Sequence, residues 1–513
     1  MGLNKKLGSS LLFQFINLFA TGILAIIAVP FLLRSYGDIA FGVFQIIVSF
    51  NIIKVLLEFG MGGAILKYTS NYYRQGISAL NRFVSTFIAV KSVLSLIGMI
   101  IAIFIGHNFY RIFSDVPANL ATDIIRSCYI FSFGLLLSNV LAVWNTVLRG
   151  IVRFDLANIS DLFARTTFFV LILVLIFVKP QPTISDLTFL QFVYIPVATA
   201  CLDAFFLKRH LKGFRLIPSQ PSWNIIKKTW RYMGGMTIIA LTSQFFAQGT
   251  RGIIGIITNP VSVTMYSIAL KVKNPILQLN NAIMRPLIPG FSESEIETEQ
   301  SQLKKAILFQ KYESIFFMGI ISLTFILCYD FILLWVGPDY IDSVVILQVL
   351  LAPYLLPRTG SLLMYYYATG RTRISMINNL LYTTMALGLS LPLAYFYGVI
   401  GFVAGVSLSL AITQFIYLFS FRREYKFNLM DYAKRAYSGS YLIVIVLFAA
   451  YFGYLALPFE ADTWPVFIAL TAFFGLLYFV LIIMVIGKSD RKVIRQYIRK
   501  LQQKKWHLHN TNK

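Results

Sequence analysis

The chain has 513 residues, is 58% hydrophobic and 16% aromatic, and carries only 13% charged residues, with a mean hydropathy of +0.72. Soluble domains are roughly 45–50% apolar and about 25% charged, so this composition excludes a soluble globular enzyme and predicts an integral membrane protein. The formal net charge of +24 would suit nucleic acid if it covered one surface, but the basic residues gather in alternate connections, so no nucleic-acid partner is expected.

A bilayer core about 30 Å thick needs roughly 20 apolar residues per spanning helix. In chain order, apolar runs between charged or Pro/Gly-rich breaks predict spans at 10–33, 41–66, 83–106, 123–148, 156–178, 188–207, 232–257, 261–288, 309–336, 343–368, 375–397, 400–421, 437–457 and 464–487. The expected fold class is therefore an all-α integral membrane protein of about 14 transmembrane helices. The first run follows Lys5 and Lys6 and is too long for a signal peptide. Lys6 stands where a myristoylation motif needs Ser or Thr.

An even number of spans puts both termini on one side, and the Lys/Arg distribution says which. One set of connections holds Lys5 and Lys6; Lys67, Arg74 and Arg82; Arg149 and Arg153; the basic stretch from Lys208 to Arg231; Lys304, Lys305 and Lys311; Arg371 and Arg373; Arg422, Arg423, Lys426, Lys434 and Arg435; and the tail from Lys488. The opposite set holds Arg34, Arg111 and Lys179. Both termini are therefore expected in the cytoplasm.

Gly150-x-x-Arg153 recurs as Gly370-x-x-Arg373, and the turn at Gly37 recurs at Asn259 with nearly the same offset. Two matching offsets suggest two six-helix halves in the same orientation. The expected organisation is an N-terminal six-helix lobe over 1–207, a basic cytoplasmic linker over 208–231, a C-terminal six-helix lobe over 232–421, two additional helices over 422–487 and a basic tail over 488–513. The linker contains Pro218 and Pro221 and lies against anionic head groups in this reading.

Catalytic motifs are absent. Gly487-Lys488-Ser489 resembles the end of a phosphate-binding loop, but Ile482 replaces its first glycine. Cys128, Cys201 and Cys328 stand singly in apolar runs, and His507 and His509 sit in a polar tail. No metal or cofactor is expected.

The informative residues are ionisable side chains inside spans, where a charge costs at least about 2.5–3.5 kcal/mol and usually faces a polar cavity. The basic ones are Lys54, Lys91, Arg126, Arg165, Arg251, Lys271, Lys273, Arg285 and Arg358; the acidic ones are Glu58, Asp161 and Asp330. At 1.5 Å rise per residue, Lys54 and Lys271 lie roughly 15–20 Å from their helix ends and Arg165 roughly 14 Å. Arg251 and Lys91 are intermediate, while Arg126 and Arg285 are near enough to a boundary for their long side chains to reach head groups. A cationic interior suits an anionic substrate, since phosphate oxygens accept charge-assisted hydrogen bonds from Arg and Lys. Lys54 with Glu58, and Asp161 with Arg165, stand at i,i+4 spacing, so each acid either neutralises its neighbour or carries a coupled proton. The candidate substrate-binding residues are thus Lys271, Arg165, Lys54, Arg251 and Lys91, with Glu58 and Asp161 as coupling or pairing residues.

The chain resembles oligosaccharide flippases of the polysaccharide transporter group, relatives of the multidrug and toxin extrusion (MATE) transporters and of the lipid II flippase. The likeness rests on Pro30-Phe31-Leu32-Leu33-Arg34-Ser35-Tyr36-Gly37 with Phe41-Gly42; on Leu148-Arg149-Gly150 with Arg153-Phe154 and Asn158; on Met265-Tyr266-Ser267-Ile268-Ala269 with Lys271; and on Leu334-Trp335-Val336-Gly337-Pro338-Asp339-Tyr340. It implies two six-helix lobes around a cavity opened alternately to each side, with two further C-terminal helices. The implied substrate is a sugar unit on undecaprenyl diphosphate, moved without enzymatic chemistry across a bacterial plasma (inner) membrane for surface polysaccharide such as O-antigen or exopolysaccharide. The implied partners are the lipid-linked oligosaccharide, membrane lipids, and a polysaccharide polymerase or glycosyltransferases. One departure is informative: the first span holds Gln14 and Asn17 but none of the carboxylate that cation-coupled relatives place there. The competing readings are a MATE-like exporter of small organic molecules, which calls for an acidic cavity, and a membrane glycosyltransferase or polymerase, which calls for a large outer loop or a metal-binding acidic pair.

Overall fold

The computed structural model describes residues 3–113, 115–179, 181–216, 220–244, 248–284, 299–368, 373–456 and 461–487. Outside them fall Arg285, Pro218, the Gly370–Arg371 half of the second Gly-x-x-Arg turn, and the tail with His507 and His509. The side chains of Gln14 and Asn17 are likewise outside the description.

The described residues form helices in the order α1 (Leu3–Ser49), α2 (Asn51–Glu58), α3 (Met61–Arg74), α4 (Ile77–His107), α5 (Phe109–Ile112), α6 (Ala121–Gly150), α7 (Phe154–Val178), α8 (Ile184–Phe189), α9 (Ile195–His210), α10 (Trp223–Gln244), α11 (Thr250–Ile257), α12 (Pro260–Met284), α13 (Glu299–Val336), α14 (Asp342–Leu351), α15 (Gly360–Ala368), α16 (Arg373–Tyr425), α17 (Leu429–Leu455) and α18 (Trp464–Val485). No strand occurs among the described residues. Each of the fourteen predicted spans is mainly helical in its described part, with breaks at Phe59–Gly60 in the second and between Leu355 and Gly360 in the tenth. Nine described helices are long and apolar enough to cross a membrane, or ten if the broken pair Asp342–Leu355 and Gly360–Tyr366 counts as one span. The difference from fourteen arises partly because some connections are kinks inside continuous helices. α1 carries the first span and the start of the second across Gly37, and α16 carries the eleventh and twelfth across Tyr397 and Gly398. At Gly37 the φ of 78° requires a residue without a Cβ penalty. The second span is broken again between α2 and α3, where Phe59 and Gly60 are both left-handed.

The chain packs as two compact units. The first comprises Met1–Ile283, Trp335–Pro353 and Thr372–Thr413, and the second Met284–Leu334, Tyr354–Arg371 and Gln414–Lys513. In the first unit, Leu80, Phe83, Phe87, Val143, Val147 and Leu148 form the centre of an apolar core between α4 and α6. In the second, α13, α17 and α18 share a core around Ile326, Leu447, Phe474 and Tyr478.

Two contacts in the first unit set the position of α12 against α1. A Cβ at Gly42 would stand 2.0 Å from the carbonyl oxygen of Pro260, so only glycine permits this approach. Beside it, Thr264 donates its hydroxyl to the Asp38 carbonyl at 2.7 Å. Two turns further along α12 on the same face stands Lys271.

Pro30, inside α1, lacks an N–H and leaves the carbonyl of Ile26, four residues earlier, without its helical donor. The indole Nε1 of Trp335 donates to that carbonyl at 2.9 Å. A freed carbonyl in a membrane has no water to turn to, which gives the Trp335 of the Leu-Trp-Val-Gly-Pro stretch a physical task at the proline of the first span. Trp335→Phe keeps the ring and removes the donor. It is expected to cost about 1 kcal/mol, read as a fall in melting temperature of the purified protein, with Trp335→Leu falling further.

Candidate substrate cavity

The candidate site lies wholly within the first unit. A cavity of about 180 Å³ is walled by Leu24, Ala28 and Leu32 before the α1 kink and by Phe41, Phe44 and Gln45 after it, with Phe168, Phe169 and Ile172 from α7 on another side. Into this apolar enclosure come two cations, Arg165 from α7 and Lys271 from α12. Two neutral polar groups join them, Gln45 and Gln191. Gln191 lies in the π-helical turn Leu190–Tyr194 between α8 and α9, a local widening of the helix that often marks a functional position. No carboxylate lines the cavity among the described residues.

The structure therefore brings Lys271 and Arg165 together, as their depth predicts. Arg251 on α11 does not line this cavity, although it is close enough to interact electrostatically with Lys271. Its helix is held tightly to α1, since a Cβ at Gly252 would stand 2.7 Å from the Ser49 hydroxyl oxygen. Lys54 and Lys91 stand elsewhere, in a separate cluster with Glu58 where α2 meets α4 and α6.

In that cluster the expected partner of Glu58 is replaced. The carboxylate pairs at 3.2 Å with Lys91 of α4, whose side chain is 1% exposed. It also accepts from the backbone N–H of Gly62, so it caps the first turn of α3 across the break in the second span. Lys54, one helical turn before Glu58, places its Nζ 3.4 Å from the Ser138 carbonyl. The i,i+4 pairing of Lys54 with Glu58 is thus not the ion pair formed.

Asp161 departs from its expected pairing in the same way. Its carboxylate accepts from Arg149 at 2.8 Å rather than from Arg165, while Arg149 also donates to Asn145 at 2.8 Å and Asn158 at 3.3 Å. Arg149 belongs to the Leu148-Arg149-Gly150 stretch, and its engagement with Asp161 leaves Arg165 to the cavity. Close by, the fully buried Asp203 accepts from Asn145 at 3.4 Å. Asp203 is an acid that sequence reading missed because it sits near the end of its span. Glu313 was missed for the same reason; in the second unit its side chain is fully buried and pairs with Arg358.

These pairs make a stability prediction. Glu58→Gln leaves the buried Lys91 ammonium without its counter-charge and should lower stability by about 3 kcal/mol. Glu58→Gln combined with Lys91→Met should recover most of it, whereas combination with Lys54→Met should not. Membrane abundance and melting temperature of the three variants decide between the two partners.

No protein-family model matches this sequence, and no curated protein matches it in sequence. Solved structures do match. A lipid II flippase MurJ in an inward closed conformation superposes with a TM-score of 0.71 at 15% identity, covering 94% of this chain and 99% of that one. The chain shares the fold of this structure. An inward-facing multidrug resistance MATE transporter of the MOP superfamily matches with a TM-score of 0.64 at 14% identity, over 83% of this chain and 98% of that one. A MOP superfamily transporter from Pyrococcus furiosus, described as having a binding pocket of reversed polarity, matches with a TM-score of 0.50 at 14% identity, over 84% of this chain and 95% of that one. The shared fold and the nine or more apolar helices among the described residues make the chain a multi-pass membrane protein. The three matched structures are a flippase and transporters; none is described as an enzyme.

Proposed function

We propose that this protein is a non-enzymatic flippase that moves a lipid-linked oligosaccharide, carried on undecaprenyl diphosphate, from the inner to the outer leaflet of a bacterial plasma membrane by alternating access, for surface polysaccharide synthesis. The observation that carries the proposal is the cavity holding Lys271 and Arg165 with no lining carboxylate among the described residues. In a low-dielectric enclosure two cations attract a diphosphate and repel an organic cation. An exporter of cationic drugs would need the opposite sign. Two six-helix lobes with two further helices supply the moving parts, and the Lys/Arg asymmetry puts both termini in the cytoplasm. A polymerase or glycosyltransferase would hand over or receive the sugar unit at the membrane.

Deleting the gene tests this in cells. The expected result is loss of surface polymer with accumulation of the lipid-linked sugar unit, restored by the wild-type chain. Unchanged polymer with raised sensitivity to cationic drugs would favour the exporter instead.

A further inference from the structure

A second cavity, separate from the one holding Lys271, opens where α6, α7 and α8 meet. Its volume is about 380 Å³, toward the small end of the roughly 300–1,000 Å³ of ligand pockets. Leu171, Val174, Leu175 and Val178 lie on one face of α7, and Ile130 of α6 and Phe189 of α8 complete an apolar groove. Val174, Val178 and Phe189 are 49%, 75% and 49% exposed, so the groove opens toward the surrounding bilayer. Its charged lining residues are Arg126 and Asp186. Asp186 is already neutralised by Lys179 at 2.5 Å and accepts from the Thr183 N–H at 2.8 Å. Arg126, exposed and one turn before Ile130 on α6, has no hydrogen-bond or ion-pair partner among the described residues.

The groove is preformed. Asp123 of α6 accepts from the backbone N–H groups of Ile184 at 2.7 Å and Ser185 at 3.1 Å, and so fixes the start of α8 to α6. Arg126 stands five residues into α6, about 7 Å from its end, at the depth where a guanidinium meets lipid phosphates.

We propose that this groove binds one glycerophospholipid, its phosphodiester on Arg126 and an acyl chain along the apolar face of α7. The Lys/Arg asymmetry assigns it to the outer leaflet. An unpaired guanidinium fits a phosphodiester bidentately, and apolar walls at bilayer depth fit a hydrocarbon chain. The face from Leu171 to Val178 extends about 10 Å, enough for part of one acyl chain.

Native mass spectrometry of the purified full-length protein with added dioleoyl phosphatidylglycerol, and separately with undecaprenyl phosphate, tests the site. The wild type and Arg111→Gln, a change at an arginine outside the groove, should retain phosphatidylglycerol equally. Arg126→Gln should weaken retention by about tenfold, the loss of one charge-assisted contact, and Val174→Trp, which fills the groove, should weaken it at least as much. Arg126→Lys should retain an intermediate amount. If Arg126→Gln fails to fold, Val174→Trp decides alone. Retention unchanged in both groove variants, or undecaprenyl phosphate retained in preference and lost on the same substitutions, would overturn the proposal.

Discussion

Lys271→Ala and Arg165→Ala should each reduce surface polymer export by at least about tenfold at equal membrane abundance, since each removes a charge-assisted contact worth roughly 1.5–3 kcal/mol. Arg111→Ala, which alters an exposed cation outside the cavity, should stay within about twofold. The two cations reach the cavity by different routes. Lys271 is aimed there because α12 is seated against α1 by the Gly42–Pro260 approach and the Thr264–Asp38 hydrogen bond. Arg165 is available because Asp161, its neighbour on α7, is occupied by Arg149. The double variant should be close to inactive rather than additive if both cations hold one diphosphate. Lys271→Arg should retain more transport than Lys271→Ala, because the charge is kept although its geometry changes. Polymer quantification beside immunoblotting of membranes checks all five variants.

The largest stability effect is expected at Glu313. Its side chain is fully buried and that of Arg358 is 11% exposed, with the guanidinium 3.9 Å above the Phe317 ring. Arg358 lies in the non-helical stretch between Leu355 and Gly360, where backbone groups lose their helical partners. Tyr437 accepts from the Arg358 N–H at 2.8 Å, and Tyr432 donates to its carbonyl at 2.8 Å. The side-chain pair and the two tyrosines thus hold one short break from α13 and α17. Glu313→Ala strands a buried guanidinium and should cost about 3–5 kcal/mol. Glu313→Gln with Arg358→Met should regain most of it, which thermal melting of the purified variants will show. Failure of the double variant to recover would mean that the tyrosine contacts depend on the charge pair.

Much of the architecture is written in the sequence because a membrane leaves few choices. Long apolar runs must be helices, so every predicted span is mainly helical, and Gly37 and Asn259–Pro260 mark the breaks between neighbouring spans. Depth within a run singled out Lys271 and Arg165, which line the cavity, but equally Lys54, which does not. Pairing was not legible. The i,i+4 rule reports neighbours on one helix, whereas Glu58 and Asp161 find Lys91 and Arg149 on other helices. The left-handed Phe59 that breaks the second span has no side-chain signature. Gln45 and Gln191 escaped notice because uncharged polar residues are too common in spans to stand out, and only the π-helical turn distinguishes Gln191. The Trp335–Ile26 bond joins residues far apart in sequence, yet the proline at Pro30 signals that some donor is needed there.

The most direct measurement reconstitutes the purified protein in liposomes loaded with a fluorescent oligosaccharide on undecaprenyl diphosphate, and follows its appearance in the opposite leaflet. The account predicts flipping that is lost in Lys271→Ala/Arg165→Ala and is not inhibited by a lipophilic organic cation. Full flipping by that double variant, or transport of the organic cation in place of the diphosphate lipid, would contradict it.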